Sequence, residues 1–325
     1  MSMITPPPDF PHATTAPKAP SDPAGTLAPE RAAELGPAPP GKPRGLARRA
    51  WDLFAENKLA LAGLAFLIFI VLFCFVGPLF YHTNQTTTQL SNYLCHPSGE
   101  HLLGCNDLGY DQLGRLMIGG QTSLEVGIAA AIVAVAFGAL YGAISGFAGG
   151  PLDSVLMRIV DAGLSLPYLM VLIILSVIFH PTPLTMVFII AVFYWFGPAR
   201  LVRGETLSLR TREYVQAVRV LGGSQMRSVT RHILPNAIGV IIVQGTFAVA
   251  DAILILSGLG FLGLGVTPPN TDWGSMLSGG LNYIQSGGYW WLIYPPGLCI
   301  ILTCISFNFI GDALRDAFEN RLQRR

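Results

Sequence analysis

From Leu59 to Phe80 the chain reads LALAGLAFLIFIVLFCFVGPLF, 22 residues without a charge. A helix crossing the hydrocarbon core of a bilayer needs roughly 20 mostly apolar residues. With no water at that depth, each backbone N–H and C=O must find its partner inside the protein, so a chain built from such runs folds as a bundle of helices. Five more stretches qualify: Thr122–Gly146, rich in Ala and Gly; Ile159–Phe179, which contains Pro167; the short Leu184–Ala199; Ala237–Leu259; and Trp291–Ile310. The expected fold is an all-α integral membrane protein with six transmembrane helices. Charged residues make up 12%, against about 25% in a soluble domain. The mean hydropathy of +0.51 points the same way.

Residues 1–43 have a different composition. They are rich in Pro, Ala and Gly and lack the aromatic and branched apolar side chains that offset chain entropy. A disordered tail is expected there, followed by the transmembrane domain over 44–325. Prolines stand where a signal peptide would place its apolar core.

Lys and Arg set the orientation. With the N-terminus inside, the outer regions are about 81–121, 180–183 and 265–290, and of the 20 basic residues they hold one, Arg115. N- and C-termini are therefore expected in the cytoplasm. The same count places the loop between the fourth and fifth spans there, with Arg200, Arg203, Glu205, Arg210 and Arg212 at its start.

That loop contains EYVQAVRVLGGSQMRSVTRHILPN, Glu213–Asn236. Tyr214, Ala217, Val218 and Leu221 recur at helical spacing and form one apolar stripe. Gly222-Gly223 ends that helix, Ser224 can cap a second, and Met226, Val229 and Ile233 continue the spacing. Pro235 restricts Leu234 and marks the start of the next span. Two short helices of this kind are marginal alone in water and need a surface to pack on. That surface is either the lipid headgroup layer or a groove in a cytoplasmic partner.

The stretch resembles the coupling motif of ABC importer permeases, E-A-A, three residues, Gly, nine residues, I-x-L-P. Gln216-Ala217-Val218 takes the place of the triplet, Gly222 is the Gly, and Leu234-Pro235 closes the motif; His232 stands where Ile is usual. HLLGCNDLGYDQLGRLMIGGQTSL resembles a second motif of the oligopeptide/dipeptide branch, with Cys105 for the usual Thr, Tyr110 for Arg and Gly114 for Ser. ENKLALAGLAF, GGPLDSVLMRIVDAGLSLP, GLGFLGLGVTPPNTDWGSML and GDALRDAFENRL are also similar to that branch, although Glu319-Asn320 departs from the usual Asp-Pro. The chain looks like the second, C-type, of the branch's two permease subunits.

The resemblance implies a bacterial inner-membrane importer subunit. Its expected partners are a homologous permease, two ABC ATPase subunits, an extracytoplasmic solute-binding protein and membrane lipid, with no nucleic acid. No Gly-rich Lys-Ser/Thr phosphate loop is present, so ATP is expected on the partner subunits, and no cofactor, metal or catalytic residue is expected on this chain. Tyr214, Ala217, Val218 and Leu221 would dock on an ATPase, Glu213, Arg219 and Arg227 would line the rim, and Gly222 would set the bend. Di- and oligopeptides are the implied substrates; nickel chelates and glutathione use similar permeases. An ion-coupled carrier is the reading of another class, and it would not need the coupling motif.

Two acids stand in or near the spans. Asp161 follows Arg158 by one turn, the spacing of an ion pair at the inner interface. Asp251 lies well inside the fifth span, and an acid at membrane depth faces a cavity or a partner. It either attracts a peptide ammonium or another cation, or it bonds to the partner permease. In the resembled branch an acid is often found where Leu256 stands. Of the five cysteines, Cys74, Cys299 and Cys304 read as small apolar fillers within spans. Cys95 and Cys105 share an outer loop with His96 and His101, which leaves a disulfide, a Cys/His metal site or free thiols. Trp290, Trp291 and Tyr294 read as an interfacial aromatic belt. By resemblance, Thr267–Tyr289 holds a short helix along the outer face.

Overall fold

The computed structural model describes residues 54–323 apart from 84, 86, 214–228 and 284–286. The tail predicted over 1–43 lies outside the described residues. Among the described residues the chain is helical, with one isolated β-bridge, Cys105 to Asp111.

Helix α1, Lys58–Phe75, is capped by Asn57, whose side chain accepts from the N–H groups of Leu59 (3.0 Å) and Ala60 (3.2 Å). It is apolar on every side yet buries only Ala60, Gly63, Ile70 and Cys74. Ile68, Phe69 and Leu72 remain more than half exposed, an arrangement suited to lipid and not to water. A single further turn, Gly77–Phe80, completes the first predicted span.

Helix α2, Gln112–Ala148, is the central post. Its 37 residues make it about 55 Å long at 1.5 Å per residue, well beyond the predicted Thr122–Gly146. Asp111 caps it, accepting from the Gly114 N–H at 2.8 Å. It ends at Gly149, whose φ of 65° suits glycine.

The third and fourth predicted spans are broken helices. α3 (Gly150–Ser165) and α4 (Tyr168–Ile178) meet at 82°. Pro167 lacks the N–H that would continue α3 and disfavours a helical Leu166, so the chain turns there. α5 (Pro183–Tyr194) and α6 (Phe196–Leu209) meet at 45°. Pro198 cannot donate to the carbonyl of Tyr194 four residues earlier, and its ring crowds that carbonyl. The four unbroken helices long and apolar enough to cross a membrane, plus these two bent pairs, give up to six crossings.

A π-turn at Val229–Ile233 leads into α7, Leu234–Phe261, with Pro235 in the first turn where a missing N–H costs nothing. α8, Trp273–Leu281, is the short helix expected between the last two spans. α9, Tyr294–Gln323, continues past the predicted end at Ile310. Trp291 corrects the aromatic-belt reading: it is 1% exposed, and its Nε1 donates to the Cys105 carbonyl at 3.2 Å. Trp290 and Tyr294 are at least half exposed.

Packing falls into layers along α2. Ile70, Cys74, Leu124, Ile253 and Trp273 join α1, α2, α7 and α8. Val126, Leu172, Met186, Ile190 and Leu256 join α2, α4, α5 and α7. Ala139, Ala143, Phe147 and Val202 enclose Val229 and Ile233, the two ends of the π-turn.

Candidate functional site

Three sites follow from this packing, one at each end of the bundle and one between them. At the end where α6 leads toward residue 213, α2 and α6 touch backbone to backbone. A Cβ on Gly138 would lie 2.6 Å from the Trp195 carbonyl oxygen, one on Gly142 2.1 Å from that of Ala199, and one on Gly146 2.9 Å from that of Arg203. Glycine every fourth residue makes a stripe that lets the helices close in, the small-residue packing common in membrane bundles. Below the stripe Arg203 grips Asp153 with two bonds, Nε to Oδ1 and Nη2 to Oδ2, both 2.6 Å. Ser145 donates to Oδ1 of the same carboxylate at 2.6 Å, and Arg210 donates to the Gly146 carbonyl at 2.9 Å. The stem of α6 is thus clamped to the α2–α3 corner by a two-pronged, charge-assisted pair.

The predicted coupling residues divide at the limits of description. Tyr214, Gln216, Ala217, Val218, Arg219, Leu221, Gly222 and Arg227 lie outside the described residues. Glu213 is exposed at the edge of the described segment; Leu234 and Pro235 open α7. Val229 and Ile233, expected on the apolar face, are 2% and 0% exposed against α2 and α6.

Asp161 does not pair with Arg158 as its spacing suggested. Its partner is Arg200 on α6, because the bend after Trp195 brings that helix alongside α3. Asp251 is exposed on α7 and accepts a 2.5 Å hydrogen bond from the Tyr194 hydroxyl. Both line a cleft of 580 Å³ between the α3–α4 break, the α5–α6 break and α7. Tyr194 was not legible as a site residue, since 57 positions separate it from Asp251. A second acid the sequence reading passed over, Glu125, is exposed on α2 and outside that cleft.

At the opposite end the segment before α2 folds onto α8 and the start of α9. The structure joins Cys95 to Cys105, with Cα atoms 4.8 Å apart. The ligand atoms of Cys95, His101 and Cys105 lie within 4.8 Å of one another, but a disulfide leaves no thiolate for a metal. His101 instead faces Asp111, Nδ1 to Oδ2 at 2.9 Å, and Tyr81 donates to the same oxygen at 2.9 Å. Burial and the Asp111 carboxylate push the Tyr81 phenol up to about 12. Alkylation of the unreduced, denatured chain is expected to modify the three free thiols and leave Cys95 and Cys105 untouched until reductant is added, as read by intact mass. Five alkylated cysteines without reductant would refute the bridge.

Asp272 anchors α8. Its carboxylate accepts from the Ser275 N–H (2.9 Å), the Ser275 hydroxyl (2.6 Å) and the Val266 N–H (3.1 Å). Burial pushes this carboxyl up from its ordinary value while those donors pull it back. Trp273 donates from Nε1 to the Leu116 carbonyl at 3.0 Å, and its own N–H to Ser123 Oγ at 3.2 Å. Arg115, the sole basic residue of the predicted outer regions, is buried, stacks 4.8 Å over Tyr110 and donates to the Pro269 carbonyl at 3.0 Å. It ties the 268–272 loop to the base of α2.

Comparison with known proteins places this architecture. Residues 138–324 match the family described as binding-protein-dependent transport system inner membrane component. Residues 45–97 match the N-terminal TM domain of oligopeptide transport permease C. The chain is 39% identical over 275 residues to the dipeptide transport system permease protein DppC of Bacillus subtilis, covering 85% of this chain and 86% of that one. It is 38% identical over 278 residues to the oligopeptide transport system permease protein OppC of Haemophilus influenzae, covering 85% and 89%. OppC of Escherichia coli is 40% identical over 278 residues, covering 85% and 91%. The chain is therefore a multi-pass membrane protein of the binding-protein-dependent transport family, and it belongs to the C-type permeases of the oligopeptide/dipeptide ABC importers, which transport solutes and are not enzymes.

Proposed function

We propose that this chain forms, with a homologous permease, the translocation pathway of an ATP-driven importer of di- and oligopeptides. Two ATPase subunits would lie beneath it and deliver their closure through the segment 213–235. Support comes from the relatives, named as dipeptide and oligopeptide permeases, and from the distribution of basic residues. Arg200, Arg203, Arg210, Arg212 and Arg231 gather at one end of the bundle, which by the positive-inside tendency is the cytoplasmic one.

One observation carries the mechanism. Both ends of the segment that would contact an ATPase are welded to the α2–α3 corner: α6 to α2 by the glycine stripe and to α3 by the Arg203–Asp153 clamp, and the 229–233 turn to α2 and α6 by burial of Val229 and Ile233. A displacement of the segment cannot be absorbed at its roots. It has to move α2, α3 and α6 together as a rigid body, the kind of motion alternating access requires. Peptide crosses between permeases as nucleotide binding and hydrolysis on the partner subunits bias the two states.

The test uses the assembled transporter with its binding protein. Gly222→Val is expected to leave insertion and assembly intact and to cut ATP-dependent peptide uptake by about tenfold, since a branched side chain disfavours the bend. Normal uptake by that variant would remove the coupling assignment. Co-purification separates this reading from an ion-coupled carrier, which would come down without ATPase subunits or a second permease.

A further inference from the structure

We propose that Asp251, held by the Tyr194 hydroxyl, is a binding site for a primary ammonium group of the transported solute. The inference rests on the peptide-import reading, because a free peptide carries such a group at its N-terminus.

Position and charge come first. Asp251 is ten residues before the end of α7 at Phe261, which at 1.5 Å per residue is about 15 Å from that end and well inside the membrane. An ionised carboxylate at that depth is costly without a cation or a polar cavity. Among the described residues its hydrogen-bond partner is Tyr194, on Oδ2. That bond orients the carboxylate without neutralising it, and Oδ1 is left for another donor. Among the described residues, no Lys, Arg or His lines the cleft. Arg200, on α6, is paired with Asp161.

The cleft has a ligand's dimensions. Its 580 Å³ falls within the range of about 300–1,000 Å³ for small-molecule sites. Its walls are mostly apolar, and Tyr168, Phe193, Tyr194 and Phe196 bring aromatic rings to it. Aromatic faces attract ammonium groups, more strongly where water is excluded.

The backbone gives an independent reason. Both bent spans break at this cleft: Gly163, Leu164 and Leu166 border it from the α3–α4 turn, and Phe196 and Gly197 from the α5–α6 turn. Pro167 and Pro198 have no N–H to offer the carbonyls of Gly163 and Tyr194, and the Gly163 carbonyl takes the Leu166 N–H at 3.3 Å instead. Unpaired carbonyls at membrane depth are tolerated where they line a polar cavity and not where they meet lipid. An ammonium group has three donors; the Asp251 carboxylate supplies acceptors, and the rings supply the remaining wall.

Two measurements on the whole purified transporter test this. The first is labelling of Asp251 by dicyclohexylcarbodiimide, read by mass spectrometry, with Glu125 on the same chain as reference carboxyl. Dialanine or ethylammonium is expected to slow labelling of Asp251 relative to Glu125 by about fivefold or more, and N-acetyl-dialanine to leave it unchanged. The second is uptake in proteoliposomes. Asp251→Asn is expected to lower dialanine uptake by about tenfold at unchanged yield of the partner permease, and Asp251→Glu to retain a substantial part of it. The proposal is overturned by absence of amine protection, by equal protection from the N-acetyl compound, or by unaltered uptake in Asp251→Asn. Loss of the partner permease from the Asp251→Asn complex would also overturn it, since the acid would then serve the subunit interface. The peptide reading fails separately: wild-type transporter that ignores dialanine while ethylammonium still protects Asp251 would keep the site and discard the substrate.

Discussion

Arg203→Ala is expected to lower ATP-dependent uptake by about tenfold or more while the chain still inserts and finds its partners. The Asp153 side chain is 11% exposed and takes two bonds from Arg203 and one from Ser145. Truncating Arg203 leaves a mostly buried anion with the Ser145 hydroxyl as its remaining donor in that group. Breaking a buried pair on one side costs roughly 3–5 kcal/mol, and a hydrogen bond to a charged group contributes about 1.5–3. Because the Arg203 side chain is 30% exposed, water can partly replace it, and a loss of about 2–3 kcal/mol is the reasonable scale. That loss is local to the root of the coupling segment, where about 1.4 kcal/mol is already tenfold in an equilibrium. A paired change separates stability from transmission. Asp153→Leu with Arg203→Met removes both charges, and thermal unfolding of the detergent-solubilised complex should return to within about 1 kcal/mol of wild type. Uptake should remain depressed, because the ionic tie between α3 and α6 is still absent. Full recovery of uptake in the double variant would show that the pair only stabilises the fold.

Gly142→Leu is expected to be more damaging, with most of the folded yield lost. Its Cβ would stand 2.1 Å from the Ala199 carbonyl oxygen, a backbone atom that cannot rotate away. α2 and α6 would have to separate along the whole stripe from Gly138 to Gly146. Overpacking costs about 1–3 kcal/mol where side chains can adjust and more where they cannot; three levels of close contact would be lost together. Fluorescence-detected size exclusion after solubilisation reads the outcome. Gly204 on the same α6 is the control, since a Cβ there meets nothing within 4 Å. Gly204→Ala should be neutral or stabilising by up to about 1 kcal/mol, as alanine favours helix over glycine. If Gly142→Leu and Gly204→Ala behave alike, the stripe is not what joins the two helices.

The cysteines, the acids and the aromatic residues show where legibility stopped. Cys95 and Cys105 could be singled out from spacing and compartment, but spacing left three chemistries open. Asp251 was visible because a charge inside an apolar run is conspicuous. Its positioning group was not, since Tyr194 sits in an ordinary aromatic run on another helix. Asp161 was assigned to Arg158 because helical spacing presents that neighbour; Arg200 reaches it through a bend that Pro198 makes but whose direction depends on packing. Trp291 had the composition of an interfacial belt, and burial against the 95–105 loop turned it into an anchor.

The sequence by itself determined that this chain spans a membrane as helices and which end carries the basic residues, but it took both broken spans as continuous and began α2 at Thr122 instead of Gln112. The first two properties depend on local composition: apolar length and the positions of Lys and Arg. Only the tertiary structure decided that Gly138, Gly142 and Gly146 face α6, that Arg203 meets Asp153 across 50 positions, and that two broken spans enclose a cleft around Asp251. A glycine, an arginine or an acid looks the same in the sequence whatever it touches. Its role is set by close packing between helices far apart in the chain, and that depends on the shape of the whole bundle.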